Sequence, residues 1–247
     1  MNPQPDYRIY PSLLDKFNDY RNTDAVSEKP WNEGKSPSEL EAEIERGLLD
    51  TINRVPFESE AAERGTCFNN LVDAGIAGRV EIIANATDRY GKPQVRIGHT
   101  SRLGTPYTFD FPEHIVREFV DYFRGAASQV FCSGTLETQY GVVELYGYID
   151  ELIQDTVFDI KTTSRYEFGK YRTAWQKHVY PFCLDQMGCH IRGFEYTVTD
   201  FRNTYQEWYD FHYDNTRQLL KEHCERFIEF IESRREQITD KKIFNQQ

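Results

Sequence analysis

Long apolar runs are missing from this 247-residue chain. Nothing approaches the roughly 20 residues that a membrane-spanning helix needs. The opening MNPQPDYRIYPSLL lacks both the basic and the apolar region of a secretory signal. The expectation is a cytoplasmic protein with no membrane partner. Cysteines are few and scattered, at Cys67, Cys132, Cys183, Cys189 and Cys224. An odd, irregularly spaced set argues against a disulfide framework and leaves buried reduced thiols as the expected state. It also argues against an iron–sulfur cluster, which needs four thiolates at close spacing. His99, His114, His190, His212 and His223 have no metal-ligand spacing to one another. Internal repeats, low-complexity tracts and a phosphate-binding Walker loop are all absent. Cations are in deficit, 29 Lys and Arg against 40 Asp and Glu for a net charge of −11, which disfavours indiscriminate coating of a polyanion. Aromatics are plentiful, with 17 Phe and 16 Tyr in a chain that is 39% apolar. That composition and length suit one packed α/β globule and exclude a disordered chain.

Local signals divide the chain. Residues 1–35 read as an irregular arm with a few aromatic anchors. Ser36-Pro37-Ser38-Glu39 then has the capping-box form, with proline at the first helical position, and opens an acidic helix to about Asn53. A second helix is expected from Ser59 to Ala74. Arg79–Ala86 and Gln94–Thr100 alternate around Tyr90-Gly91 and read as a hairpin. A short helix spans Pro112 to Phe123, and strands follow near 128–137, 143–150 and 156–161. Arg172 to Met187 reads as a helix that Pro181 should kink or end. Two further strands, Ile191–Thr199 and Thr204–Tyr213, precede a last helix over Asn215–Gln237. Tyr205, Trp208, Tyr209, Phe211 and Tyr213 could stack on bases, but alternation places most of them on one face, which favours core packing.

The densest signal is VVELYGYIDELIQDTVFDIKTT at 142–163. Side chains alternate faces along a strand. Asp159 and Lys161 therefore share a face with Val157, and Phe158 and Ile160 turn the other way toward a core. In the preceding run Glu144, Tyr146, Tyr148 and Asp150 fall on one face, with Val143, Leu145 and Ile149 on the other. Acids and a lysine gathered where two strands meet suit a divalent cation beside a phosphate.

Three motifs in order carry a family resemblance: Gly147-Tyr148-Ile149-Asp150, then Asp159-Ile160-Lys161-Thr162, then Gln176-Lys177-His178-Val179-Tyr180. Over roughly residues 129–190 this resembles the PD-(D/E)xK nuclease superfamily, most closely its RecB-type exonuclease branch. Upstream, Gly65-Thr66-Cys67-Phe68-Asn69 resembles that branch's Gly-Thr-x-x-His, with Asn69 in place of the histidine. The resemblance implies an α/β fold with a restriction-endonuclease-like core, a mixed β-sheet flanked by helices, and a helical N-terminal extension. It divides the chain into an arm and acidic helix (1–58) and a nuclease-like domain (59–247). It implies phosphodiester hydrolysis, with Asp150, Asp159, the Ile160 carbonyl and Asn69 as ligands of Mg²⁺ or Mn²⁺. Lys161 would stabilise the transition state or orient the attacking water, and Gln176 would position it. Thr162, Arg165, Arg172, Lys177 and Tyr180 would meet the substrate, and His178 a phosphate. Glu144 and Glu137 are fallback carboxylates.

Charge distribution agrees locally. Between Lys161 and His178 stand Lys161, Arg165, Lys170, Arg172 and Lys177 against Glu167 alone. The expected partner is DNA, single-stranded or at duplex ends, in phage or bacterial recombination, replication or DNA processing. With no motor motif in the chain, any unwinding falls to a helicase or recombination partner. Two rivals stand beside this reading: a non-catalytic member that keeps the fold as a nucleic-acid-binding or assembly module, and an unrelated metal enzyme with a coincidental Asp-x-Lys.

Overall fold

The computed structural model describes residues 4–23, 34 and 36–245. Its centre is a six-stranded mixed sheet. Strand β1 (Tyr7–Ile9) pairs in parallel with β6 (Gly141–Ile153) at Val143–Leu145, and β5 (Ala127–Thr138) pairs antiparallel with β6 along its other edge. Beyond β6 come β7 (Thr156–Thr162), β8 (Gly193–Thr199) and β9 (Thr204–Asp210). The β7–β8 pair is parallel, and the β6–β7 and β8–β9 pairs are antiparallel. A three-stranded sheet holds β2 (Ala86–Thr87), β3 (Pro93–Thr100) and β4 (Pro106–Pro112). The helices are α1 (Pro11–Arg21), α2 (Pro37–Ile52), α3 (Glu60–Ile76), α4 (Glu113–Tyr122), α5 (Gln176–Gln186) and α6 (Tyr213–Ser233), followed by a short 3₁₀ turn at Lys241–Phe244.

Strand alternation sorts the core into two bodies. Val157 of β7 joins Val143, Leu145 and Ile149 of β6 under α1, α5 and α6. Phe158 and Ile160 face the opposite side, where Phe68 of α3, Phe119 of α4 and Phe109 and Phe111 of β4 gather. The sheet is thus covered by helices on both faces, as a parallel β7–β8 connection through α5 requires. Cys132, Cys183 and Cys224 lie in the first body and Cys67 in the second, while Cys189 is exposed. Tyr205, Tyr209, Phe211 and Tyr213 pack against the first body, and Trp208 is on the outer face.

The helix starts follow their expected chemistry. Ser36 and Glu39 form both halves of the capping box before α2, and Ser59 Oγ accepts from Ala62 N at the start of α3. Three expectations need correction. Residues 1–35 are not simply an irregular arm. Residues 24–33 lie outside those described, but β1 is part of the central sheet and α1 buries Leu13, Leu14 and Phe17. Pro11 is the first residue of α1, where its missing N–H costs nothing. Second, the hairpin around Tyr90-Gly91 pairs only Ala86–Thr87 with Pro93–Gln94, and the long partner of β3 is β4. Third, α5 runs on through Pro181. Burial of Val179–Leu184 on neighbouring elements outweighs the one intrahelical bond lost there.

If α1 belongs to the core, Leu14→Ala should cost about 2–5 kcal/mol, as fully buried leucines do. Urea denaturation measures this, and a loss below about 1 kcal/mol would make α1 a loose appendage.

Candidate active site

The site forms where the β6–β7 ladder stops. Backbone pairing between these strands covers Glu151–Phe158, Leu152–Val157 and Ile153–Thr156 and goes no further. On the other edge of β6, the β5 register also omits Asp150. Gln129, its would-be partner, takes a left-handed backbone with φ +55°. Asp150 is therefore unpaired on both sides, and its carboxylate takes the place of a strand. Asp150 Oδ2 accepts the Ile160 N–H at 2.9 Å. The N–H and C=O of one strand residue point to the same edge, so the Ile160 carbonyl opens onto the same gap. This corrects the simple alternation: Glu144, Tyr146 and Tyr148 stay on the outer face, and Asp150 turns in beside Asp159.

Asp159 is 2% exposed. Gln176, the first residue of α5, donates Nε2 to Asp159 Oδ1 at 2.6 Å. Lys161 Nζ lies 2.6 Å from Asp159 Oδ2. Asn69 comes from α3 and donates Nδ2 to Asp150 Oδ2 at 3.3 Å. Its Oδ1 is buried with no hydrogen-bond partner. Two close approaches bring these elements together. An added Cβ at Gly147 would lie 2.7 Å from Tyr180 Cε1, and one at Gly65 would lie 3.1 Å from Thr162 Oγ1. Glycine at 147 thus seats the Tyr180 ring on β6, and glycine at 65 lets α3 reach the end of β7.

The electrostatics are those of anions held together. Burial and then the neighbouring Asp159 charge push the Asp150 carboxyl up to about 7, although Lys161 opposes the shift. Burial also raises Asp159, against the pull of Lys161 and Gln176. Burial would lower Lys161, but Asp159 and Asp150 outweigh it and hold the ammonium above its ordinary range.

Several expected contacts fall elsewhere. Lys177 is buried, and its Nζ donates to the Arg172 and Ala174 carbonyls at 2.6 and 2.7 Å. Burial lowers its pKa to about 8, and it closes the loop before α5 instead of meeting substrate. Tyr180 is buried against Gly147 and likewise has no open face for a strand. His178 is half-buried, is pushed down to about 4, chiefly by burial, and tilts against Trp175 at 5.4 Å. Glu144 pairs with Arg8 at 2.6 Å and Glu137 is exposed on β5, so neither fallback acid serves the site. Arg165 and Arg172 are exposed and Thr162 half-buried at the end of β7.

Three acids near the site had not been singled out. Asp73 lies one helical turn beyond Asn69, a spacing that could have marked it. Glu151 is fully buried and raised to about 8, first by burial. Asp73 acts on it as a neighbouring acid and is itself raised, first by burial, and Asp73 Oδ1 and Glu151 Oε1 are both buried without a hydrogen-bond partner. Asp15 of α1 accepts the Trp175 N–H at 2.7 Å and is raised to about 6 by burial, with Lys161 among the charges acting on it.

The donors that could hold a cation are oxygens: Asp150, Asp159, the Ile160 carbonyl and Asn69 Oδ1. Among the described residues no group of three or more His, Cys, Asp or Glu could hold a metal, so a cation here would complete its shell with the amide, the carbonyl, water and phosphate. An all-oxygen set suits a hard ion such as Mg²⁺ or Mn²⁺. The buried, unpartnered Asn69 Oδ1 fits that use.

No family model matches the chain, and no curated protein matches it. Among solved structures, the crystal structure of SSO0001 matches with a TM-score of 0.44 and 9% identity, covering 90% of this chain and 78% of that one. A likeness that slight carries no functional argument.

Between the ordinary aspartate value of about 4 and about 7, the unfolded chain loses the Asp150 proton and the folded chain keeps it. Without a cation, stability should therefore fall as pH rises through that window. Asp150→Asn keeps an acceptor for Ile160 and removes the charge, so it should raise the metal-free melting temperature at pH 8 and flatten the profile. Mn²⁺ should stabilise the wild type at pH 8 and not the variant. Coincident melting profiles with and without the substitution would sink this account.

Proposed function

We propose that the protein is a metal-dependent nuclease that hydrolyses phosphodiester bonds of DNA on a restriction-endonuclease-like core of the PD-(D/E)xK type. The observation that carries the reading is the meeting of Asp150 and Asp159 at the break in the β6–β7 ladder, with Lys161 and Gln176 on Asp159. The three motifs supply those residues in the order of the RecB-type exonuclease branch, which supports exonuclease action in phage or bacterial recombination, replication or DNA processing.

In this reading Asp150, Asp159, the Ile160 carbonyl and Asn69 hold Mg²⁺ or Mn²⁺. Such an ion, when bound, lowers the pKa of a water and offsets charge on the scissile phosphate. Lys161 remains an ammonium because both acids hold its pKa up. As an ammonium it would donate hydrogen bonds to the phosphate or to the attacking water. Gln176 fixes Asp159, and through it the lysine. Thr162, half-buried at the end of β7, and the exposed Arg165 and Arg172 on the segment after it would meet the backbone of the strand. The acidic remainder of the surface keeps DNA from binding elsewhere.

One observation favours a second reading, a fold member that binds DNA without cutting it. The site has only two carboxylates and an asparagine where the branch has histidine, and among the described residues no fuller metal-ligating group stands in for them.

Labelled linear and circular DNA, with and without Mn²⁺, separates the two. Wild type should cleave only with the metal. Lys161→Ala should still bind Mn²⁺ while its rate falls by about 10²–10³, the loss expected for one charge-stabilising donor. Asp159→Ala should lose metal and activity together. Equal rates for wild type and Lys161→Ala would place the activity elsewhere, and no cleavage by either would favour the binding module.

A further inference from the structure

The segment between Lys161 and Gln176 stands with both ends in the site: it leaves β7 directly after the Asp-x-Lys and returns at the first residue of α5. It is firmly built. Lys170 Nζ donates to Thr163 Oγ1 at 2.6 Å and to the Arg165 carbonyl at 3.2 Å. Tyr166 stacks on Tyr205 of β9 at 4.1 Å, and Lys177 closes the far end through the Arg172 and Ala174 carbonyls. At its crest Lys170 N donates to the Glu167 carbonyl, with Gly169 at φ +75°. That is a β-turn whose third position needs glycine, and Phe168 occupies the second. Phe168 is 95% exposed.

A large aromatic held out in water on a clasped turn is a cost the fold does not explain. Its surroundings suggest a use. Arg165, Lys170 and Arg172 are exposed on the same segment; Glu167, its one acid, pairs with Arg165 at 3.3 Å, so the segment keeps a net positive charge, which favours a polyanionic partner. One ring is too little apolar area for a protein interface, but it matches the face of one base. Phe57, 83% exposed, differs along the chain: Val55, Pro56, Glu60 and Ala61 are its exposed neighbours, and Arg54 is the one cation in that stretch.

We infer that Phe168 stacks on an unpaired base, so that the site takes single-stranded DNA or the frayed end of a duplex in preference to intact duplex. The inference rests on the nuclease reading and names its substrate class. Bases inside a duplex are stacked on each other and present no free face to the ring. A turn already fixed by hydrogen bonds loses little freedom on binding, which favours contact by a single side chain.

The test uses the full chain with Mn²⁺ and oligonucleotides of one sequence, single-stranded, overhung and blunt. Wild type should cleave the single strand and the overhang faster than the blunt duplex. Phe168→Ala should lower kcat/KM on the single strand by about tenfold or more, mostly through KM. Phe168→Trp should keep the wild-type value, and Phe57→Ala should leave it unchanged. In parallel, a single strand carrying 2-aminopurine should lose fluorescence on binding Lys161→Ala, and not on binding Lys161→Ala with Phe168→Ala. Unchanged kcat/KM in Phe168→Ala with the quench retained would overturn the inference. Failure of wild type to cleave any DNA would defeat the nuclease reading, and the quench, which needs no cleavage, would still decide for or against Phe168.

Discussion

The hydrogen bond from the Ile160 N–H to the Asp150 carboxylate is the constraint on which the site depends. A sheet ordinarily satisfies such a donor with a neighbouring carbonyl. Here the ladder is cut short at Glu151–Phe158 and a side chain takes over. The exchange costs regular pairing on both edges of Asp150 and a left-handed backbone at Gln129. It gains an acid buried beside a second acid, which no regular strand pair would place there without a compensating charge. Lys161 offsets part of that repulsion, and both carboxyls still titrate above their ordinary range. Strain of this kind belongs where a ligand can relieve it.

The rest of the fold holds the gap open. The two apolar bodies on either face fix β7 from both sides, with Val157 in one and Phe158 and Ile160 in the other. The approach of Tyr180 to Gly147 locks α5 onto β6 and so sets where Gln176 begins. The approach of Gly65 to Thr162 brings α3, and with it Asn69, to the end of β7. The N-terminal helix joins in: Asp15 caps Trp175 at the start of α5, and Leu14 O contacts His223 of α6 at 3.1 Å.

Much of this was legible because the two faces of these strands differ, apolar on one side and polar on the other, and such a difference shows as period-two alternation. Asp159, Lys161, Phe158 and Ile160 fall on the faces their spacing dictates. Asp150 could be named from its motif but not oriented, because the distortion opposite Gln129 arises between strands and leaves no local pattern. Lys177 was misjudged for a related reason: sequence shows that a side chain can be charged, and only packing shows that it is buried among carbonyls. The strand Pro106–Pro112 was overlooked because prolines bound it. Asp15 and Glu151 carried no motif. They are near the site because tertiary packing put them there.

Net charge is a poor guide in this molecule. An excess of acid over the whole chain coexists with a cationic segment next to two buried carboxylates, and only the local balance bears on binding. We propose that Asp150, at an unpaired position of β6, makes with Asp159 a place for a hard cation. Crystals grown with Mn²⁺ near pH 8, measured at the manganese absorption edge, test it directly. The account expects an anomalous peak bridging the Asp150 and Asp159 carboxylates, with the Ile160 carbonyl among its ligands. Mn²⁺ bound only elsewhere, with Asp150 still bonded to Ile160 and the gap holding water alone, would contradict it.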